Sequence, residues 1–334
     1  MWFYGTLKES LEPLAGGDSK MKVTREMIHP ELRTIGMLMR GFSVADGKKL
    51  AFSNAFLDHV VAGKTLCGKL SMEQRYISRP DGTPLRICIY TPKVPKNQVA
   101  GLLWIHGGGY ALGVPEQEIS FIRDFIFASD CVVVSPDYIR STEAPYPAAL
   151  QDCYTALLWM YENCDSLGIR ADKLMIGGDS AGGGLTAALS LYARDMGTVP
   201  IAFQMPLYPM LDPRPTESST DNDAPIWNTK ANLVAWKRYL GDTYGTDQVS
   251  KYASPILETD YRGLPPTLTF VGSIEPFRDE TITYVERLKA AGVRVAFRIF
   301  EGCFHGFDVL CSTTQIAKEA RAFLIDGFME AVNA

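Results

Sequence analysis

The chain has 334 residues, of which 46% are hydrophobic and 21% charged, with a formal net charge of −5. That length and balance fit one large α/β domain with a small accessory part and exclude a disordered chain. There is no long basic run to bind nucleic acid or an anionic membrane surface, and no window approaches the roughly 20 apolar residues of a membrane helix.

The N-terminal stretch Met1 to Ser10 lacks the charged start and long apolar run of a signal peptide, so a cytoplasmic location is expected. Residues 1–60 mix helical pieces with glycine-containing breaks, Met27 to Met39 being the clearest, and are read as an N-terminal helical cap segment. Tyr76 to Pro80 and Leu85 to Tyr90 flank the turn signal Asp81-Gly82 and predict an antiparallel pair. Val99 to Ile105 is a continuous apolar run fit for a central strand, and it ends in His106-Gly107-Gly108-Gly109-Tyr110. Three successive glycines cost backbone entropy and offer nothing to pack, so their amides are expected to approach something closely.

A helix over Ile119 to Phe127, a buried strand over Val132 to Pro136 and a long helix over Ala148 to Asn163 continue the alternation. Lys173 to Gly177 reads as a strand and Leu185 to Leu189 as part of a helix, with Gly178-Asp179-Ser180-Ala181-Gly182 between them. That is a sharp strand-to-helix turn presenting Ser180, with glycines where bulk would clash and the Ala181 amide able to face an anion. Beyond the strand Ile201 to Pro206, a polar, proline-containing stretch and a helix over Lys230 to Leu240 break the rhythm. Residues 211–251 are therefore read as a cap insertion, and 61–210 with 252–334 as the core. The core resumes with a strand over Thr267 to Gly272, a helix over Thr281 to Ala291, a strand over Val295 to Phe300 and a closing amphipathic helix. This pattern predicts a mostly parallel sheet with helices on both faces.

The seven cysteines are scattered and lack any Cys-x-x-Cys pair, so reduced thiols are expected rather than a disulfide framework or a zinc site. There are four histidines. His29 and His59 lie in the N-terminal segment, and His106 belongs to the glycine run. His305, in the loop after the last strand, is left as the general base for a serine at the same sheet edge. The acid that orients it belongs on the loop after Val271, where Glu275 and Asp279 compete. Asp279 can alternatively serve as N-cap of the helix starting at Thr281, and Arg278 and Glu280 read as first-turn surface charges. Asp179, pointing away from its neighbour Ser180, is expected to form structural hydrogen bonds.

With His106 to Gly109, Gly178 to Gly182, Ser254-Pro255, Leu264-Pro265-Pro266, Pro276 to Glu280 and His305-Gly306-Phe307 in this order, the chain resembles the hormone-sensitive-lipase-like (bacterial family IV) esterases of the α/β-hydrolase superfamily. The resemblance implies an α/β-hydrolase fold with an eight-stranded sheet, Ser180 as nucleophile and His305 as base. It implies oxyanion-hole amides from Gly108, Gly109 and Ala181, with His106 and Gly107 supporting the glycine loop. The family usually has an aspartate before Pro-Leu, whereas here Glu275 precedes Pro276-Phe277. Glu275 is thus favoured as the acid and Asp279 is kept as the alternative. Tyr110 and Tyr208 either line the pocket or belong to the core.

The expected activity is that of a serine carboxylesterase on small, short-acyl esters, with no metal or organic cofactor required and a homodimer favoured by the resemblance. An acetyl esterase on acetylated sugars, a small amidase or peptidase, and a small-molecule receptor on the same fold are the alternatives.

Overall fold

The computed structural model describes residues 22–40, 47–64 and 67–334. The parts of the N-terminal cap reading that fall on 1–21 and 41–46 lie outside the described residues. The described part of that segment carries helices α1 (Arg33–Met39) and α2 (Gly47–Phe56). The helix expected from Met27 begins later, with a single 3₁₀ turn, Pro30–Leu32, preceding α1. Pro30 has no N–H to donate, so it can open this turn but cannot continue a helix from Met27.

Among the described residues, eight strands form one sheet in the order β1-β2-β4-β3-β5-β6-β7-β8. They are β1 (Leu70–Ser78), β2 (Pro84–Pro92), β3 (Val99–Ile105), β4 (Val132–Pro136), β5 (Ile169–Asp179), β6 (Phe203–Leu207), β7 (Thr267–Gly272) and β8 (Val295–Phe300). β2 runs antiparallel to both its neighbours, and every pairing from β4 to β8 is parallel. The remaining helices are α3 (Ile119–Ser129), α4 (Ala148–Glu162), α5 (Cys164–Leu167), α6 (Ala181–Met196), α7 (Thr229–Leu240), α8 (Arg278–Ala290), α9 (Phe307–Leu310) and α10 (Gln315–Asn333). No helix among the described residues is long and apolar enough to cross a membrane.

Strand periodicity explains the two-sided core. On β3, Leu103 and Ile105 join a cluster with Leu157 of α4 and Leu185 of α6. Leu102 and Trp104, pointing the other way, join Phe125 of α3 and Phe328 of α10. Both faces are covered, so the strand reads as unbroken apolar sequence.

Because β3, β5, β7 and β8 are parallel, their C-terminal ends share one edge of the sheet. The glycine loop leaves β3, Ser180 leaves β5, Glu275 follows β7 and His305 follows β8. The sheet order thus gathers residues that are far apart in sequence, at the kind of edge where open α/β sheets hold ligands.

Candidate active site

β5 ends at Asp179 and α6 starts at Ala181, which leaves Ser180 alone to turn the chain. It does so at φ 57° and ψ −119°, a region that costs a non-glycine residue on the order of 1–3 kcal/mol. The turn is held by Ser180 N donating to the Leu207 carbonyl at 3.0 Å and by the Ser180 carbonyl accepting from Met210 N at 3.1 Å. A Cβ on Gly178 would stand 2.4 Å from the Ile105 carbonyl oxygen, and one on Gly182 only 2.1 Å from the same atom. Neither position tolerates a side chain, because the C-terminal end of β3 lies directly against the elbow.

Ser180 Oγ lies 2.7 Å from His305 Nε2. The opposite ring nitrogen, Nδ1, is in short contact with Glu275 Oε2, and Glu275 Oε1 accepts the Gly272 amide at 2.7 Å. Glu275 is completely buried. The ring of His305 is boxed by the edges of Phe277 and Tyr208, with centroids at 5.1 and 5.0 Å. A hydroxyl proton can pass to such an imidazole while the carboxylate stabilises the cation that forms.

Asp279 is not part of this line. Its Oδ2 accepts the Ser218 amide at 2.7 Å and its Oδ1 accepts Arg278 Nε at 2.8 Å. The N-cap role expected for it is also displaced. α8 begins at Arg278, three residues earlier than the sequence suggested, so Asp279 falls inside the first turn and Phe277 precedes the helix without a side-chain cap. Glu280, expected as a surface charge, is buried instead, because its Oε1 accepts the Leu211 amide at 2.6 Å and the Asp212 amide at 3.3 Å.

The glycine loop faces Ser180. Gly108 and Gly109 have φ of 118° and 60°, and a Cβ on Gly108 would overlap the Leu112 carbonyl at 1.9 Å. Gly108 N, Gly109 N and Ala181 N make no hydrogen bond among the described residues, so three amides are available beside the hydroxyl. His106 is fully buried, stacks on Tyr138 with centroids 4.1 Å apart, and donates from Nδ1 to the Gly107 carbonyl at 2.8 Å. Burial lowers its pKa to about 4, which keeps the ring neutral.

A cavity of about 280 Å³ opens onto Ser180 and His305. Its apolar wall is Leu112, Phe121, Ile226, Trp227, Val309 and Leu310, and its polar wall is Gln117, Glu118, Ser120 and Asp179. Glu118 accepts Trp104 Nε1–H at 3.0 Å and Gln117 Nε2–H at 3.1 Å. Burial and the charge of Glu118 push the Asp179 carboxyl well above the usual carboxylate range. A larger surface cleft of about 710 Å³, between Arg214, Tyr261 and Arg287, contains neither Ser180 nor His305.

Tyr110 and Tyr208 do not line the cavity. Tyr110 stacks on Tyr239 at 3.8 Å and donates its hydroxyl to the Met210 carbonyl, while Tyr208 donates to Asp308 Oδ1 at 3.0 Å from behind His305. Both phenols found buried acceptors, so they sit in the core. Trp227, on the cap insertion, has its ring over Gly109, where an added Cβ would come within 2.4 Å. The interruption of the α/β rhythm was the only signal that this segment returns to the site. Nothing in the pattern marked Val309 and Leu310.

A family profile described as "alpha/beta hydrolase fold" matches residues 102–309. Carboxylesterase NlhH of Mycobacterium tuberculosis is 31% identical over 283 residues, spanning 84% of this chain and 88% of that protein. Esterase LipI of the same organism is 33% identical over 248 residues, spanning 73% and 77%. Among solved structures, one titled "Bacterial Heroin Esterase" superposes with a TM-score of 0.85 at 33% identity, covering 93% of this chain and 100% of its own. Esterase LipW from Mycobacterium marinum superposes with a TM-score of 0.83 at 29% identity, covering 92% and 97%. The chain therefore belongs to the α/β-hydrolase fold family, in its hormone-sensitive-lipase-like esterase branch, and is a carboxylic ester hydrolase.

Proposed function

We propose that Ser180, His305 and Glu275 are the nucleophile, base and acid of a serine carboxylesterase that cleaves small, short-acyl esters. Ser180 Oγ attacks the ester carbonyl as His305 Nε2 takes its proton, and the oxyanion is received by the amides of Gly108, Gly109 and Ala181. His305 then protonates the departing alcohol. Water, deprotonated by the same nitrogen, attacks the acyl-enzyme and releases the acid. His106 and Gly107 hold the glycine loop in shape without touching substrate.

The observation that carries this reading is the 2.7 Å bond from Ser180 Oγ to His305 Nε2, beside three amides without partners among the described residues. The short-acyl preference rests on the cavity, whose volume of about 280 Å³ lies just below the range for ligand sites, on the order of 300–1,000 Å³. The described part of residues 1–60 and the insertion 211–251 act as a cap over it. The N-terminal part reaches the glycine loop through Asn54 Nδ2, which donates to the Ala111 carbonyl at 2.9 Å, and the insertion supplies Ile226 and Trp227.

The test is fluorophosphonate labelling of the wild type and Ser180→Ala, joined to a panel of acyl esters, acetylated xylose and anilides. Labelling confined to the wild type, with hydrolysis fastest on acetyl to butanoyl esters, is expected. An unlabelled wild type would overturn the assignment of Ser180, and faster anilide than ester cleavage would overturn the substrate class.

A further inference from the structure

We infer that Ser218 and Asn222, on the cap insertion, are positioning residues for the acid Glu275. This inference rests on the triad reading above. The carbonyls on either side of Glu275 are both held from the cap. Asn222 Nδ2 donates to the Ile274 carbonyl at 3.1 Å, and Ser218 Oγ donates to the Pro276 carbonyl at 2.8 Å. A reciprocal pair closes the clamp, with Ser218 N donating to Asp279 Oδ2 at 2.7 Å and Asp279 N donating to Ser218 Oγ at 3.1 Å. Ser218 is completely buried and Asn222 nearly so, which strengthens these bonds against competition from water.

The clamp answers a problem that glutamate creates. Glu275 carries one more rotatable bond than the usual aspartate, so its carboxylate finds His305 Nδ1 only if the backbone is fixed. Gly272 N fixes one oxygen from the strand side, and the loop from Ile274 to Asp279 is fixed from the cap side. The same insertion continues from Asn222, whose Oδ1 accepts the Ala224 amide at 2.7 Å, to Trp227 on the cavity wall. One short segment thus bounds the substrate and sets the acid.

The experiment is a double-mutant cycle on kcat with Ser218→Ala, Asn222→Ala and Glu275→Gln, accompanied by thermal melts. Ser218→Ala is expected to lower kcat about 5- to 30-fold with KM nearly unchanged, the factor set by one or two buried hydrogen bonds. It should cause no further loss in the Glu275→Gln background, where the carboxylate it positions is gone. Ser218→Cys, which keeps the volume and weakens the donor, should behave alike if Ser218→Ala fails to fold. A lower melting temperature with unchanged kcat in both Ser218 variants, or equal losses with and without Glu275→Gln, would reduce the clamp to packing and overturn the inference. If instead Glu275→Gln itself left kcat intact, the triad reading would fall first, and the two failures are distinguished in one data set.

Discussion

Glu275 grips two partners at once, His305 Nδ1 through Oε2 and the Gly272 amide through Oε1, and it is fully buried while doing so. Asp279, four residues further on, spends its carboxylate on Ser218 and Arg278. Glu275→Gln should therefore lower kcat by about 10³- to 10⁴-fold, the scale on which a serine hydrolase loses its oriented imidazole. Asp279→Asn keeps an acceptor for Ser218 N and loses only a partly exposed ion pair, so kcat should stay within a few-fold and stability should drop by at most about 1 kcal/mol. Steady-state kinetics with urea unfolding checks both, and the reverse pattern would move the role to Asp279.

Trp227 closes the cavity opposite Ser180 by lying on Gly109. Trp227→Ala should lengthen the pocket, and each methylene accommodated in it is worth roughly 1–3 kcal/mol of transition-state binding. The ratio of kcat/KM for hexanoyl over acetyl esters should rise by about tenfold or more. Gly109→Ala should instead damage the site whatever the acyl chain. Its methyl would strike Trp227 and its φ of 60° disfavours a side chain, so all esters should suffer through kcat.

These contrasts show where the chain was legible. Strands β3 and β4 were visible because strands buried on both faces write nearly uninterrupted apolar runs, and the elbow was visible because the close approach of the β3 end demands Gly178 and Gly182. What could not be read was polar burial. Glu280 serves amides nearly seventy residues away, and Tyr110 bonds the Met210 carbonyl a hundred residues on, so neither leaves a local periodicity. The start of α8 was misjudged for a related reason. Asp279 looked like a cap from its neighbours in sequence, whereas its carboxylate is committed to the insertion at Ser218. Resemblance supplied the preference for Glu275 that spacing alone left open.

His106 gives a pH prediction with a definite sign. Its pKa is depressed from 6.5 to about 4 by burial, so the unfolded chain binds a proton that the folded chain refuses between those values. Its contribution to stability should be intact above pH 6.5 and fall as the pH drops toward 4. This one group accounts for about 2–3 kcal/mol of the loss between pH 7 and 4.5. His106→Asn retains a donor toward the Gly107 carbonyl and cannot titrate. Its unfolding free energy, lower at pH 7 for want of the Tyr138 stack, should converge on the wild-type value in acid; parallel curves would exclude His106 as the source.

Glu280 makes the opposite case. Burial holds its carboxyl well above the usual range, so the folded state keeps a proton that the unfolded state releases as pH rises past about 4.5. The group therefore contributes most in acid, and its contribution declines as pH rises toward the raised folded value. Glu280→Gln keeps the oxygen that accepts Leu211 N and Asp212 N and removes the ionisation, so its stability relative to wild type should improve from pH 5 to pH 8. Glu280→Ala instead strands one or two buried amides at the start of the cap insertion and should cost about 1–3 kcal/mol at either pH. Urea unfolding of the three proteins at both pH values decides the matter. A Gln variant whose deficit grows with pH would mean that Glu280 is held as a carboxylate, and that the insertion is tied down by a charge rather than by a neutral acid.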